Sequence, residues 1–306
     1  MIKIYYRSIK EKRFSLLDAF KTGAWVNVSA PDEAEIEKLE KMLGVEKSLL
    51  QDALDPYEVP RIEKEDGAIY VFTRVPEIQS QEIITIPILI VLGDNFVLTI
   101  ANKELRFLEK FTAEGTDFFT TQKTKLFLEI FLSINKQYDI FLISISKRIR
   151  GLKIKLEKMK NKDLIQFVDL ERILNDFLSA LIPTSAVLKK ILDGRSIVLY
   201  EDDQDLIEDI SLGNGQMIEM AKSSLKHVVN IRNTSFSIIT HDLNRIMKIL
   251  TALTILLTIP TMIFSFYGMN VEIPHANYPH IYIVIIFFTG LSSLLFLILL
   301  KKNRWL

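Results

Sequence analysis

The residues best equipped for chemistry lie between Asn233 and Gly268. Asn233, Ser237, Thr240, Asn244, Met247, Thr251, Thr254, Thr258, Thr261, Ser265 and Gly268 recur at alternating steps of three and four. On a helix of about 3.6 residues per turn, that spacing puts them on one face. Apart from Met247, each is small or polar and uncharged. A lone hydroxyl in an apolar helix ordinarily bonds to its own backbone or forms a close helix contact. Eleven positions in unbroken register point further, to the wall of a water-filled passage. Hydroxyls and amides there offer donors and acceptors to a hydrated ion, without fixed charges that would trap it. Phe236, Ile239, Leu243, Ile246, Leu250, Leu253 and Leu257 make a second, apolar stripe at heptad spacing, which suits a helix in an oligomeric bundle. A single hairpin cannot enclose a pore, so the pattern predicts a symmetric ring of subunits.

Other reactive chemistry is sparse. Cysteine is absent, which excludes thiolate catalysis, Cys-ligated zinc, iron–sulfur clusters and a disulfide scaffold. The four histidines, His227, His241, His275 and His280, come with no nucleophile or metal triad at usable spacing. An enzyme is therefore not expected, and neither is a resident cofactor. His227 and His241 read as bundle residues. His275 and His280 read as interfacial loop residues, with contact to softer metals such as Zn²⁺, Co²⁺ or Ni²⁺ as the alternative. No phosphate-binding GxxxxGK loop occurs, and no energy-coupling motif is visible.

The elements that must position the stripe follow from where charge is missing. Lys plus Arg and Asp plus Glu both number 38, yet mean hydropathy is +0.21, so charge and apolar character must occupy different regions. The zero net charge argues against a dedicated nucleic-acid binder. Between Lys248 and Glu272 there is no charge, and the 19 residues Ile249–Tyr267 would span roughly 28 Å as a helix. A second apolar run of 20 residues covers Ile281–Leu300. Arg245 and Lys248 precede the first run, and Lys301, Lys302 and Arg304 follow the second, whereas the loop between holds one acid, Glu272, and no Lys or Arg. The positive-inside bias places a large N-terminal domain and the short C-terminal tail in the cytoplasm of a two-span inner-membrane protein. Trp305 fits one interfacial belt, and Tyr278 and Tyr282 the other. MIKIYYRSIKEKRF has no signal-peptide core, so no cleavage is expected.

Residues 1–120 read as an α/β domain, 121–248 as a cytoplasmic helical bundle and stalk, 249–267 as the first span, 268–280 as an outer loop, 281–300 as the second span and 301–306 as a basic tail. Expected strands are Lys3–Arg7, Trp25–Val28, Ala68–Val75, Ile83–Leu92 and Phe96–Ile100, with a hairpin at Asp94-Asn95. Pro31 opens an amphipathic helix that runs through Leu43, with acids in its first turn and Gly44 at its end. Leu126–Met159 reads as one long helix, Pro183 and Gly194 as punctuation, and Gly213-Asn214-Gly215 as an interruption of the helix that leads into the first span.

The stripe ends at Tyr267-Gly268-Met269-Asn270. Alone, this is a helix C-cap, with glycine in the left-handed turn. Set between two charge-free spans, it resembles the signature of the CorA family of magnesium/cobalt channels. The basic ending Lys301–Leu306 and the element Pro60-Arg61-Ile62-Glu63 are also similar to that family. The resemblance implies a funnel-shaped homopentamer whose long stalk helix continues into the pore. It implies a selectivity filter of Gly268, Met269 and Asn270, with the Gly carbonyl and Asn side chain forming the ring. Asn244, Met247, Leu250, Thr258 and Thr261 fall on the family's pore positions, and Thr251, Thr254 and Ser265 line the same face. Neutral oxygens suit Mg²⁺, which gives up its water reluctantly. Glu272 would attract cations at the mouth. The family closes when cytoplasmic divalent cation is abundant, and this implies a regulatory metal site at Asp209 and Asp205, beside Glu201, Asp202 and Asp203. The alternative for that cluster is a solvated helix start.

Three features depart from the family pattern. Asn233 stands where an acid is common, and the acid Glu272 precedes Pro274 instead of following it. The expected helix Lys147–Lys162 carries eight basic residues against Glu157, which points to anionic headgroups of the inner leaflet or to a solvated face. The expected function is passive uptake of Mg²⁺, with Co²⁺ or Ni²⁺ next, through a pentameric pore gated by cytoplasmic cation. The rivals are a Zn²⁺ transporter of the same superfamily and a membrane-anchored coiled-coil scaffold or sensor.

Overall fold

The computed structural model describes residues 1–9, 14–112, 118–154, 161–194, 197, 199–270 and 278–302, with backbone only at 153–154 and 161–164. The strands are β1 (Ile2–Tyr6), β2 (Ser15–Leu17), β3 (Ala24–Ser29), β4 (Arg61–Glu65), β5 (Ala68–Gln79), β6 (Glu82–Leu92) and β7 (Phe96–Ala101). They form one sheet in the order β2-β1-β3-β7-β6-β5-β4. Only β3 and β7 pair in parallel; every other neighbouring pair is antiparallel.

Both sheet faces are buried, which explains why β6 reads as a nearly continuous apolar run. Alternation still sorts its side chains, because successive residues of a strand point to opposite faces. Ile86, Ile88, Ile90 and Leu92 join the core under the long helices, while Leu89 and Val91 join the other. That second core is closed by α1 (Glu33–Leu43) and α2 (Lys47–Asp52), through Ile36, Leu39, Leu49 and Leu50. The start of α1 is a full capping box: Asp32 accepts from the Glu35 N–H, and the Glu35 carboxylate accepts from the Asp32 N–H. Its end is Gly44 at φ 65°, a left-handed cap that glycine adopts without steric cost.

The five expected strands are present, but β2, β4 and α2 were not anticipated. β2 has three residues, and β4 reads RIEKE with no apolar alternation. Both are edge strands, held by a single partner, where charge is tolerated and even protective. Arg61 on β4 ion-pairs with Asp52, Glu58 and Glu63 and lies 3.9 Å from the centre of the Phe72 ring. Of the element Pro60-Arg61-Ile62-Glu63, residues 61–63 enter the sheet as the start of β4, and Pro60 stands just before it.

After a 3₁₀ turn at Arg106–Thr112 the chain is helical: α3 (Lys123–Ile154), α4 (Asn161–Leu192), α5 (Glu201–Tyr267) and α6 (Ile281–Lys302). The helix expected over Leu126–Met159 is present as far as Ile154, the last residue described there; 155–160, the middle of the basic run Lys147–Lys162, lie outside the described residues, and Lys162 belongs to α4. Pro183 lies inside α4, and Gly213-Asn214-Gly215 lies inside an unbroken α5. Side-chain hydrogen bonds within the bundle lie close to both. Near the proline, the Thr184 hydroxyl donates to the Ala180 carbonyl (2.8 Å), and the buried Asn214 amide donates to that of Leu181 (3.0 Å). Asn135 of α3 donates to the Ile210 carbonyl of α5 (2.8 Å). These bonds bind α3, α4 and α5 together and outweigh the weak helix propensity of the glycines.

The chain forms two compact units, Met1–Ile231 and Arg232–Leu306, and the division falls within α5. A sheet domain, long helices and a C-terminal apolar helix match the expected fold class.

Candidate ion pathway

α5 and α6 are the two helices among the described residues long and apolar enough to cross a membrane. Their apolar windows are only 6% and 11% buried, so neither is the core helix of a soluble protein. The 67 residues of α5 carry three distinct faces in this second unit. Ala252 is buried, and Leu256, Ile259 and Ile263 are half-buried. On α6 the less exposed side is Ile281, Ile285, Thr289, Phe296 and Leu300. At about 100° per residue, the covered face of α5 lies roughly 140° from the polar stripe. The stripe residues Asn244, Met247, Thr251, Thr254, Thr258, Thr261 and Ser265 are all exposed. The apolar seam is exposed as well, including Leu250 at 55% and Leu257 at 61%. The sequence pattern did not single out the covered face; a small Ala252 amid large aliphatic residues is the signal that marks it.

The stripe hydroxyls have a defined polarity. Thr251, Thr254, Thr258 and Thr261 donate to the carbonyls of Met247, Leu250, Thr254 and Leu257 at 2.7–2.9 Å, and Ser237 donates to Asn233 at 3.0 Å. These are the ordinary backbone-returning bonds of hydroxyls in apolar helices. They commit the hydroxyl protons to the helix and leave oxygen lone pairs facing outward. A water bound to a cation turns its hydrogens away from the metal, so an acceptor surface is what a hydrated cation needs. The expectation of donors and acceptors narrows accordingly to acceptors.

At the end of α5, Gly268, Met269 and Asn270 are exposed. The expected left-handed turn at Gly268 is not adopted. Instead its N–H is shared between the Phe264 (3.0 Å) and Ser265 (3.3 Å) carbonyls, and the Met269 N–H reaches Phe266 at 3.4 Å. The helix tightens without reversing. A Cβ at Gly268 would stand 3.3 Å from the Phe264 carbonyl oxygen, so glycine fits by close approach. Glu272 and His275 lie outside the described residues, as do Arg304 and Trp305. His280 precedes α6 at φ 77°, and its carbonyl accepts from the Ile283 N–H at 3.0 Å.

At the other end of α5, Asp202, Asp203, Asp205 and Asp209 line a cleft of about 710 Å³ facing the start of α3. Asp205 and Asp209 are exposed, whereas the buried Asp203 carboxylate accepts from the Tyr200 N–H and so caps the helix. Lys123 and Lys125 line the same cleft, a feature the sequence reading missed. Lys123 donates to the Gly93 carbonyl at 2.6 Å, and burial holds its ammonium below the usual lysine range. Among the described residues, no three acids or histidines converge on one point as metal ligands. Of the basic run, Lys147, Arg148 and Arg150 are exposed on α3.

Known proteins share this architecture. The cobalt/magnesium transport protein CorA of Methanocaldococcus jannaschii is 23% identical over 293 residues, 92% of this chain and 91% of its own. The protein of the same description from Thermotoga maritima is 19% identical, over 93% of this chain and 84% of its own. The complete structure of the Methanocaldococcus CorA magnesium transporter superposes with a TM-score of 0.87, covering 100% of this chain and 99% of that one at 22% identity. The family described as CorA-like Mg2+ transporter protein matches residues 20–302, and the chain belongs to that family.

Proposed function

We propose that the chain is one subunit of a homopentameric divalent-cation channel that takes up Mg²⁺, and with it Co²⁺ or Ni²⁺, passively across the inner membrane. The observation that carries this reading is the exposed, uncharged acceptor stripe on α5, set away from the covered face and ending in Tyr-Gly-Met-Asn. A membrane anchor needs no such stripe. Helices packed around an axis through their seams would turn the stripes inward, with α6 outside. In that ring the Gly268 carbonyl and Asn270 amide form the selective mouth, and Glu272 gathers cations ahead of it. Neutral oxygens hold a hydrated divalent ion without the deep well that carboxylate rings create. The N-terminal unit and C-terminal tail face the cytoplasm, and the membrane potential draws the ion inward with about 4.6 kcal/mol per 100 mV. The M. jannaschii and T. maritima relatives are described as cobalt/magnesium transport proteins, which supports Mg²⁺ and Co²⁺ as the ions.

The test is ion flux into proteoliposomes with Mg²⁺, Co²⁺, Ni²⁺ and Zn²⁺ compared, and Asn270→Ala as control. Mg²⁺ flux that is lost in Asn270→Ala is expected. Zn²⁺ flux without Mg²⁺ flux would make the protein a zinc transporter, and no divalent flux would leave a scaffold.

A further inference from the structure

We propose that the groove between α3 and α5 in the first unit is a binding site for a phosphate group, independent of the ion pathway. The groove encloses about 350 Å³. Along this helix pair the inward positions are mostly large and apolar, among them Leu142, Ile145, Met217 and Val228. At one level the pattern breaks. Ser224 is 6% exposed, and its hydroxyl oxygen lies 3.4 Å from that of Ser146. Serines where a core would place leucine leave both volume and hydroxyls facing it. Ile149 and Met220 complete an apolar floor.

The rim carries the fixed charge of Arg150. His227 and Ser223 line the groove beside it, and among the described residues no carboxylate lines it. Neither Arg150 nor His227 has an ion-pair partner among the described residues. The nearby acid Glu219 on α5 is held by Lys222 at 2.8 Å. A guanidinium offers parallel donors that match phosphate oxygens, and serine hydroxyls supply further donors below it. The ligand is thus a soluble phosphate group, because roughly 30 Å of helix separates His227 from the apolar run that begins at Ile249. His227, which reads in the sequence as an ordinary bundle residue, becomes part of the site.

The test uses the full chain in phosphatidylcholine nanodiscs, in Mg²⁺-free buffer, with thermal unfolding as the readout. One arm adds inorganic phosphate, and the other replaces part of the lipid with phosphatidic acid. A rise of the unfolding midpoint with free phosphate identifies the soluble ligand, whereas a rise with phosphatidic acid alone overturns the proposal. Arg150→Gln, at an exposed position, should weaken the response at least about tenfold, as expected for loss of a charge-assisted hydrogen bond. Ser224→Leu fills the groove without removing charge and should abolish the response. No midpoint shift in either arm overturns the proposal, and so does a wild-type response in Arg150→Gln. Because the readout is binding and not flux, failure here leaves the channel reading untouched.

Discussion

In the proposed channel, each stripe threonine serves both the helix and the passage. Its hydroxyl proton goes to the carbonyl one turn back, and its lone pairs face outward. Valine copies the shape and keeps the helix but removes the oxygen. Thr258→Val should therefore raise the barrier by about 1 kcal/mol per lost hydrogen bond, or about fivefold in flux, while Thr258→Ser keeps near-normal flux. Flux in proteoliposomes, with the oligomeric state checked in parallel, measures this. Flux unchanged in Thr258→Val would mean that the oxygens are structural only. The register of these residues was legible in the sequence because a period of 3.6 is a local property. The return of each proton to the carbonyl one turn back is likewise local, the ordinary habit of a hydroxyl in an apolar helix. At Gly268 the sequence suggests a left-handed cap, but its shared N–H tightens the last turn.

At the scale of elements, α3, α4 and α5 are held in place by a few buried amides as well as by apolar packing. Asn135 donates across to the Ile210 carbonyl and is itself buried. Asn135→Ala should cost about 1–3 kcal/mol, read as a lower denaturant midpoint of the full chain. A cost near zero would show that the apolar core alone sets the helix register. Pro183 and Gly213-Asn214-Gly215 read as breaks because propensity describes an isolated helix. In the bundle, apolar packing and hydrogen bonds between helices override that propensity. The edge strands β2 and β4 escaped notice for a related reason. A strand of three residues, and one reading RIEKE, owe their form to pairing with β1 and β5 and not to any apolar alternation of their own.

For the whole molecule, the same helix α5 begins at the acidic cleft and ends at the proposed mouth. Asp205 and Asp209 are exposed at the start of that helix, and no third ligand joins them within the described residues. If cytoplasmic Mg²⁺ closes the channel through this cleft, the remaining ligands come from a neighbouring subunit. Asp209→Ala should then lose closure at high internal Mg²⁺ while keeping its flux at low Mg²⁺, measured in proteoliposomes of controlled lumenal concentration. Closure identical to wild type would assign these acids to the solvated start of a helix. Lys123 and Lys125 on the opposite wall would oppose cation entry there, which the exposed acids must overcome.

By itself, the sequence determined whatever is written in local patterns: the two charge-free spans, the stripe and seam on one helix, the capped α1, the five strands with recognisable β character and the Tyr-Gly-Met-Asn ending. Periodicity, capping and hydropathy act over a few residues, so they survive without knowledge of neighbours. The tertiary structure alone decided which face of α5 is covered, that Gly213 and Gly215 stay helical, and that serines from two distant segments meet below Arg150 and His227. Each of these depends on groups far apart in the chain, and only packing brings such groups within hydrogen-bonding range.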